Sequence, residues 1–466
     1  MADHSVLDQY LDRFQAEYRS RTVRSLELFE RASRFMPGGD TRAAVFFLPY
    51  PTFITRGEGC YVYDVDGNEY IDHLNNFTVQ IHGHNHPRIR AAAEEQLKLG
   101  TSFGAPHDKQ IELAGILCQR FPSLEKVRFC NSGTEATMFA IRAARAFTGK
   151  SMLVKMEGIY HGTHDTVEAS IFPDLDQAGD FDRPLLVPST PGVPQGVLDH
   201  VAIAPFNNLP ATEAIIERHK DDLAAVIIEP IMTAAGVIPA DPDYLRFLRE
   251  ITRKLGAVLI FDEVVTSRLA PGGAQEMLGI VPDITALGKY IGGGLPFGAF
   301  GGRAEIMDIF SPKDGRMKHS GTFNGHPVTM AAGVEAMKLL DRTAIDRLNR
   351  LGDRFRRDIN DLVFGALGLR AQAFGVGSIS IIHYTDGPIR TYREAKQAGE
   401  AAGDLPFLVH LGLVNNGIWI AERGEYGLST PMTEETIDRT VAAFKKTFSA
   451  CRPVVERSYP HLVAGS

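Results

Sequence analysis

Lys289 lies in Thr285-Ala-Leu-Gly-Lys289-Tyr290-Ile-Gly-Gly-Gly294, after a short apolar run and ahead of three glycines. A lysine in such a frame can be held with its amine desolvated and partly deprotonated, the condition for Schiff-base chemistry. Its plain alternative is a solvated loop residue. Asp262, in Phe261-Asp262-Glu263-Val264, follows the apolar run Ala257-Val-Leu-Ile-Phe261. A carboxylate there needs a partner, because an unpaired buried charge is costly. A protonated pyridine nitrogen meets that need, since an adjacent anion favours the protonated ring; a metal ion or a helix N-terminus would meet it as well. Phe129-Cys-Asn-Ser-Gly-Thr-Glu-Ala136 reads as a strand passing through a glycine turn into a helix over 137–147. Ser132, Gly133 and Thr134 place backbone N–H groups and two hydroxyls where the positive end of that helix favours a phosphate, or else simply cap it. No Gly-Lys-Ser/Thr follows, so this is not a Walker loop. Glu157-Gly-Ile-Tyr160-His161-Gly162 offers an aromatic ring able to stack on a planar one. The order and joint presence of the four segments carry the specificity that none has by itself.

The elements that must position these groups follow from the apolar patterning. Leu223–Ile228 and 257–261 are continuous apolar runs, as expected of strands buried on both faces of a mainly parallel sheet. Helical segments such as 241–255 lie between them, and this alternation predicts an α/β domain with ligands at the carboxyl ends of its strands. The interval from Asp262 to Lys289 accommodates a helix and one further strand, so both can line one cleft. Ahead of this domain, apolar residues at helical spacing (Val6, Tyr10, Phe14, Tyr18) predict a helical arm that packs on another body. Residues 53–73 predict strands folded over Asp66-Gly67. After about residue 331 the pattern is helical, then strand-like near 378–384 and 417–429, which predicts a smaller α+β domain. The division expected is 1–75 for the arm and the strands joining the small domain, 76–330 for the large domain, and 331–466 for the rest of the small one. Gly375-Val-Gly377-Ser reads as a domain connection.

The 466 residues can bury a large core, and 44% hydrophobic with 23% charged residues is ordinary for a globular protein. A formal charge of −8 gives no electrostatic reason to expect nucleic acid or an anionic membrane as partner. The opening segment is charged and lacks an apolar signal core, no apolar stretch is long enough to cross a bilayer, and the four cysteines form no CxxC pair. Reduced thiols and a cytoplasmic location are the expectation. His82-Gly-His84-Asn-His86 has enough imidazoles for a metal site, but no metal is expected there.

Through MPGG, YDVDGNEYID, GHNHP, GTSFGAP, NSGTEA, GIYHG, IIEP, FDEV, LGKYIGGGLPFGAFGGR and GTFNGHPVTMAAG, spanning about 28–448, the chain resembles the class III (subgroup II) aminotransferases of pyridoxal-phosphate (PLP) fold type I. The resemblance implies that Lys289 holds PLP as a Schiff base and moves the substrate proton, and that Asp262 pairs with the pyridine nitrogen. It also implies that Val264 packs behind the ring, that Tyr160 stacks on its other face, and that His161 orients the pocket. Ser132, Gly133 and Thr134 would hold the phosphate, Glu229 of the IIEP run would belong to the cofactor site, and Thr322 would reach the phosphate of a second subunit in a homodimer with shared active sites.

Two branches of the family are near, the β-amino-acid aminotransferases and glutamate-1-semialdehyde 2,1-aminomutase. Arg42 matches an arginine that grips the substrate carboxylate in both, a task suited to its planar fork. GTSFGAP, the SxPGVPxG run at 189–196 and Glu425 point to the mutase. Thr266-Ser-Arg-Leu-Ala-Pro271, HSGTFN at 319–324 and Arg423, a second carboxylate-binding arginine, point to the aminotransferases, as do Phe77 in place of the mutase's tryptophan and the divergent 165–183 segment. The favoured expectation is amino transfer from a β- or ω-amino acid to a keto acid such as 2-oxoglutarate or pyruvate, with the intramolecular mutase reaction as the alternative.

Overall fold

The computed structural model describes residues 4–313 and 316–465; the first three residues of the opening segment lie outside it. The chain forms two compact units, one of residues 87–346 with 389–395, the other of 1–86, 347–388 and 396–466.

The first of these is built on a seven-stranded sheet in the order Lys126–Cys130, Gly298–Gly302, Ile284–Gly288, Val258–Asp262, Leu223–Ile228, Met152–Met156, Val201–Ala204. From Ile284–Gly288 outward through the last four strands every pairing is parallel. Gly298–Gly302 alone runs antiparallel to both of its neighbours. The apolar runs identified in the sequence are the central strands, and Leu223–Ile228 and Val258–Asp262 are buried at every residue. Burial on both faces is why they read as continuous rather than alternating. Helices fill the crossovers: Pro242–Leu255, ended by left-handed Gly256, and Gly133–Thr148, ended by left-handed Gly149, each the usual glycine stop. Ala136, Ala140, Ala143 and Ala144 turn a small-residue face of the second helix onto the sheet, in the same cluster as Ile227, Ile260 and Ala286.

In the other unit Ile54–Glu58, Tyr61–Asp64 and Glu69–Asp72 form an antiparallel meander with Asp66-Gly67 in its second turn, and Ile418–Trp419 adds to it in parallel. Gln372–Val376, Ile379–His383 and Glu425–Gly427 form a second antiparallel sheet. Gly375 lies in its first strand and Gly377 in the hairpin turn, so this run is not a domain connection: its glycines serve a tight strand reversal. The N-terminal helix His4–Arg21 packs on helices Leu405–Asn415 and Glu434–Ser458 of its own unit, burying Val6, Leu7, Phe14 and Tyr18. Among the described residues no helix is long and apolar enough to cross a membrane.

Candidate active site

The parallel pairing sets Asp262 opposite Ala286, so Asp262 and Lys289 leave the carboxyl ends of adjacent strands. The Asp262 carboxylate is buried and held from two sides. Its Oδ1 accepts from the Val264 backbone N–H at 3.1 Å, and its Oδ2 lies 2.9 Å from Nδ1 of His161, itself buried. Burial holds the His161 imidazole below its ordinary pKa, against the opposing pull of Asp262. The neutral ring therefore donates from Nδ1, and among the described residues nothing reaches its Nε2.

Lys289 is half-buried and has φ +52°, a left-handed conformation that non-glycine residues adopt at a cost. It opens a short 3₁₀ turn, Lys289–Gly292. Val264 fills the space beside two glycines: a Cβ at Gly133 or at Gly288 would meet its methyl groups at 3.1 Å.

The segment after Lys126–Cys130 is a tight N-terminal cap. Ser132 is the N-cap, its hydroxyl accepting from the Glu135 backbone N–H at 3.1 Å, while Glu135 accepts from Asn131 N–H at 2.5 Å. The capping reading of Ser132 is thus realised, which satisfies the Glu135 N–H and leaves the Gly133 and Thr134 N–H groups as the helix-terminal donors of a kind that suits an anion. The 160–162 loop lies directly against this turn. Gly162 has φ +100°, and a Cβ there would sit 2.6 Å from Thr134 Oγ1 and 2.7 Å from its Cα, so only glycine admits the approach. Tyr160, on the same loop, is 42% exposed. Thr322 is exposed on a turn whose Asn324 accepts from Asn131 at 2.9 Å. Glu229 directly follows the strand Leu223–Ile228 and is buried, accepting from Thr233 N–H at 3.1 Å and Thr233 Oγ1 at 2.6 Å.

A second group of residues gathers in the other unit. Asp72 accepts from Asn75 N–H at 2.8 Å and pairs with His84 at 2.7 Å. The four residues Asn75–Thr78 that follow all have positive φ, 51°, 49°, 55° and 71°, a left-handed turn with no glycine in it. Asn75 Nδ2 donates to Gly427 O at 2.7 Å and fixes the turn to the strand that carries Glu425. At its tip the Phe77 ring bears two guanidinium groups, Arg42 at 5.2 Å and Arg423 at 5.5 Å from the centroid. Arg42 donates to Asn76 Oδ1 at 2.7 Å, and Arg423 forms a two-nitrogen ion pair with buried Glu425, Nε to Oε2 being 3.1 Å. The four residues expected to choose the substrate, Arg42, Phe77, Arg423 and Glu425, are thus brought together.

Three supporting residues escaped the sequence reading. Glu157, buried at the end of Met152–Met156, pairs with Arg393 through two contacts of 2.9 Å and so braces the Tyr160–His161 loop. A carboxylate after an apolar strand signals that a partner exists, but nothing marks a residue so far along the chain as that partner. Glu263, fully buried, accepts from Ala274 N–H (2.6 Å), Gln275 N–H and Gln275 Nε2 (both 3.0 Å), and fixes the loop after Asp262. Lys155 lies in the buried strand interior, donating to Ile159 O and Ala169 O.

A helix N-terminus, a half-buried lysine at a strand end and a buried carboxylate oriented by two donors match the phosphate, aldehyde and ring nitrogen of PLP in kind. The class III aminotransferase family profile matches residues 44–374. Over 441 residues the chain is 39% identical to the beta-phenylalanine transaminase of Variovorax paradoxus, covering 94% of this chain and 96% of the relative. Over 400 residues it is 42% identical to glutamate-1-semialdehyde 2,1-aminomutase of Methanothermobacter thermautotrophicus, covering 85% and 92%. The crystal structure of an omega-transaminase from Sphaerobacter thermophilus superposes with a TM-score of 0.88 at 44% identity, over 92% of this chain and 98% of that one. The chain belongs to the class III aminotransferases and is a PLP-dependent enzyme of fold type I.

Proposed function

We propose that the protein transfers the amino group of a β- or ω-amino acid to a keto acid such as 2-oxoglutarate or pyruvate. The observation that carries this reading is the pair of arginines, Arg42 and Arg423, over one Phe77 ring: a transaminase must grip the carboxylate of two different substrates in turn. The named activities of the transaminase relatives support it. When bound, PLP supplies the aldehyde that takes up the amino group and a ring that stores the carbon electron pair. The chain supplies the rest. Lys289 Nζ tethers the cofactor, then takes the proton from the substrate carbon and returns it. Asp262, its orientation set by Val264 N–H and His161 Nδ1, keeps a negative charge at the strand end. The first helical turn after Ser132 binds the phosphate, with Gly133 and Thr134 as its donors, and Tyr160 covers the ring. Arg42 and Arg423 orient the substrate through bidentate carboxylate contacts. The reading includes a homodimer in which the exposed Thr322 completes the phosphate site of the second copy.

Glutamate-1-semialdehyde aminomutase remains the second reading, favoured by the buried Glu425 already paired with Arg423 and by the mutase relatives. A screen of β-amino donors against 2-oxoglutarate and pyruvate, beside glutamate-1-semialdehyde alone, separates the two. Amino transfer to a keto acid is expected; turnover of the semialdehyde with no response to any keto acid would overturn the transaminase reading.

A further inference from the structure

Lys155 is the only titratable side chain of the strand Met152–Met156, and it takes no part in the proposed chemistry. It is 0% exposed, and burial pushes its pKa from 10.5 down to about 7. An amine at such depth is costly unless its hydrogen bonds are made. Two are made, and both fall on one loop: Nζ donates to Ile159 O at 3.1 Å and to Ala169 O at 2.6 Å. These carbonyls stand at the two ends of the loop that carries Tyr160 and His161. The same neck is closed by Gly158 N–H, which donates to Ser170 O at 2.9 Å, and Ser170 N–H is tied in turn to Val187 O at 2.7 Å. The far side of the loop rests on the helix Gly133–Thr148, where Thr137 Oγ1 donates to His161 O at 2.6 Å and Thr134 Oγ1 accepts from Thr163 N–H at 3.3 Å. The Ile159 carbonyl belongs to the same planar peptide unit as the Tyr160 N–H, so a bond that fixes the one orients the other. The exposed Tyr160 side chain therefore starts from a backbone held on both sides, by Lys155 before it and by Thr137 after it. A hydrocarbon at 155 would take from both buried carbonyls the donor they now have. Such groups are costly to leave unmet, so the neck would shift to find them new partners.

We propose that Lys155 is a positioning residue for the cofactor: its two bonds close the neck of the 159–169 loop and so aim the Tyr160 ring over the pyridine ring. The inference rests on the assignment of Tyr160 to that ring.

PLP is achiral, so its visible circular dichroism arises only when the protein holds the ring in an asymmetric setting. The dichroism per bound cofactor thus reads how firmly the ring is oriented. Wild-type holoenzyme is compared with Lys155→Met, Tyr160→Leu and the double variant, for this signal and for the rate at which PLP leaves on dilution. Methionine keeps most of the volume of the lysine stem and removes both donors. Lys155→Met should release PLP about fivefold faster, the order of one aromatic stacking contact, with weakened dichroism. Tyr160→Leu should do the same. Once Tyr160 is gone, removing Lys155 as well should add less than about twofold, because the two residues act as one unit. A generally loosened fold would instead add its whole effect to that of Tyr160→Leu. Full additivity would therefore overturn the proposal, as would wild-type release and dichroism in Lys155→Met beside an impaired Tyr160→Leu. In both cases the assignment of Tyr160 would stand. Tyr160→Leu indistinguishable from wild type would sink that assignment and the proposal with it. If Lys155→Met gives no folded holoenzyme, Lys155→Gln, whose amide nitrogen lies one bond nearer the backbone than Nζ, replaces it in the cycle with the same expectations.

Discussion

Asp262→Asn removes the charge at the strand end while keeping the shape of the side chain. In the wild type Oδ1 accepts from Val264 N–H at 3.1 Å and Oδ2 faces Nδ1 of His161 at 2.9 Å. The asparagine oxygen can keep the Val264 bond, which turns its NH₂ group toward His161. Two donors then face each other, so the imidazole must move its proton to Nε2, which has no partner among the described residues. On the stability side, one charge-assisted hydrogen bond of about 1.5–3 kcal/mol becomes a neutral one of about 0.5–1.5 kcal/mol. Relief of the buried carboxylate's desolvation offsets part of that loss, so unfolding should change by no more than about 2 kcal/mol. On the activity side, the lost interaction is that of an anion with a cationic ring nitrogen. At about 4 Å and an effective dielectric of 20 this is worth about 4 kcal/mol, or roughly a thousandfold in rate. Urea unfolding and steady-state amino transfer, both on PLP-loaded protein, measure the two effects independently. A folded, loaded Asn variant that keeps more than a tenth of the wild-type rate would refute the assignment of Asp262 as the charge that activates the ring.

Phe77→Ala removes the platform shared by Arg42 and Arg423; at about 0.5–1 kcal/mol per cation–π contact, KM for carboxylate substrates should rise about five- to thirtyfold with kcat little changed, and a fall in kcat alone would contradict this role. Glu425→Gln frees Arg423 from its ion pair, and because Arg423 is 39% exposed the gain is at most about 1 kcal/mol. KM for dicarboxylic acceptors should therefore drop two- to fivefold, whereas abolished turnover would favour the mutase reading. Lys155→Met tests the buried ammonium, whose pKa burial pushes from 10.5 to about 7. Between those values the unfolded chain binds this proton more than the folded protein does, so wild-type stability gains as pH rises through the window. The stability of Lys155→Met relative to wild type should thus be greatest at or below pH 7 and decline toward pH 10, by up to about 1.4 kcal/mol per pH unit; a difference flat across urea titrations at pH 7 and 9 would show that the lysine stays protonated in the folded protein, with no lowered pKa.

The legible parts of the fold are those in which burial writes a pattern. Leu223–Ile228 and Val258–Asp262 are apolar throughout because both faces are covered, and Asp262 and Lys289 stand out because each is a polar residue placed just where such a run ends. Gly298–Gly302 was not legible as a strand direction: it is largely glycine, and nothing in Gly-Ala-Phe-Gly-Gly shows that it runs antiparallel between two strands that it separates. Nor was the left-handed Asn75–Thr78 turn, because Phe77 and Thr78 carry no local preference for positive φ. The Arg393–Glu157 pair unites segments far apart in sequence, and its geometry exists only after the 389–395 segment has packed in the sheet-bearing unit. Long-range polar closure of this kind leaves a carboxylate visible and its partner anonymous.

The strained backbone falls where the proposed chemistry does. Phe77 at φ +55° and Lys289 at φ +52° are large side chains in a region that costs of order 1–3 kcal/mol per residue. Neither strain is relieved locally by glycine, so each must be held by its surroundings. For Phe77 the bracing is on view: Asp72 fixes Asn75 N–H, Asn75 Nδ2 reaches Gly427 O, and His84 holds Asp72 in turn. For Lys289 it is the strand before it, paired on both sides, and the 3₁₀ turn after it. A relaxed backbone at either place would aim the side chain elsewhere, so the strain is the means by which an ordinary phenylalanine and an ordinary lysine are given fixed directions. On this argument a substitution that weakens the bracing, such as Asn75→Ala, should disturb carboxylate binding more than global stability. One that leaves the bracing alone and changes only the ring, such as Phe77→Leu, should retain the turn and lose only the contact with the guanidiniums.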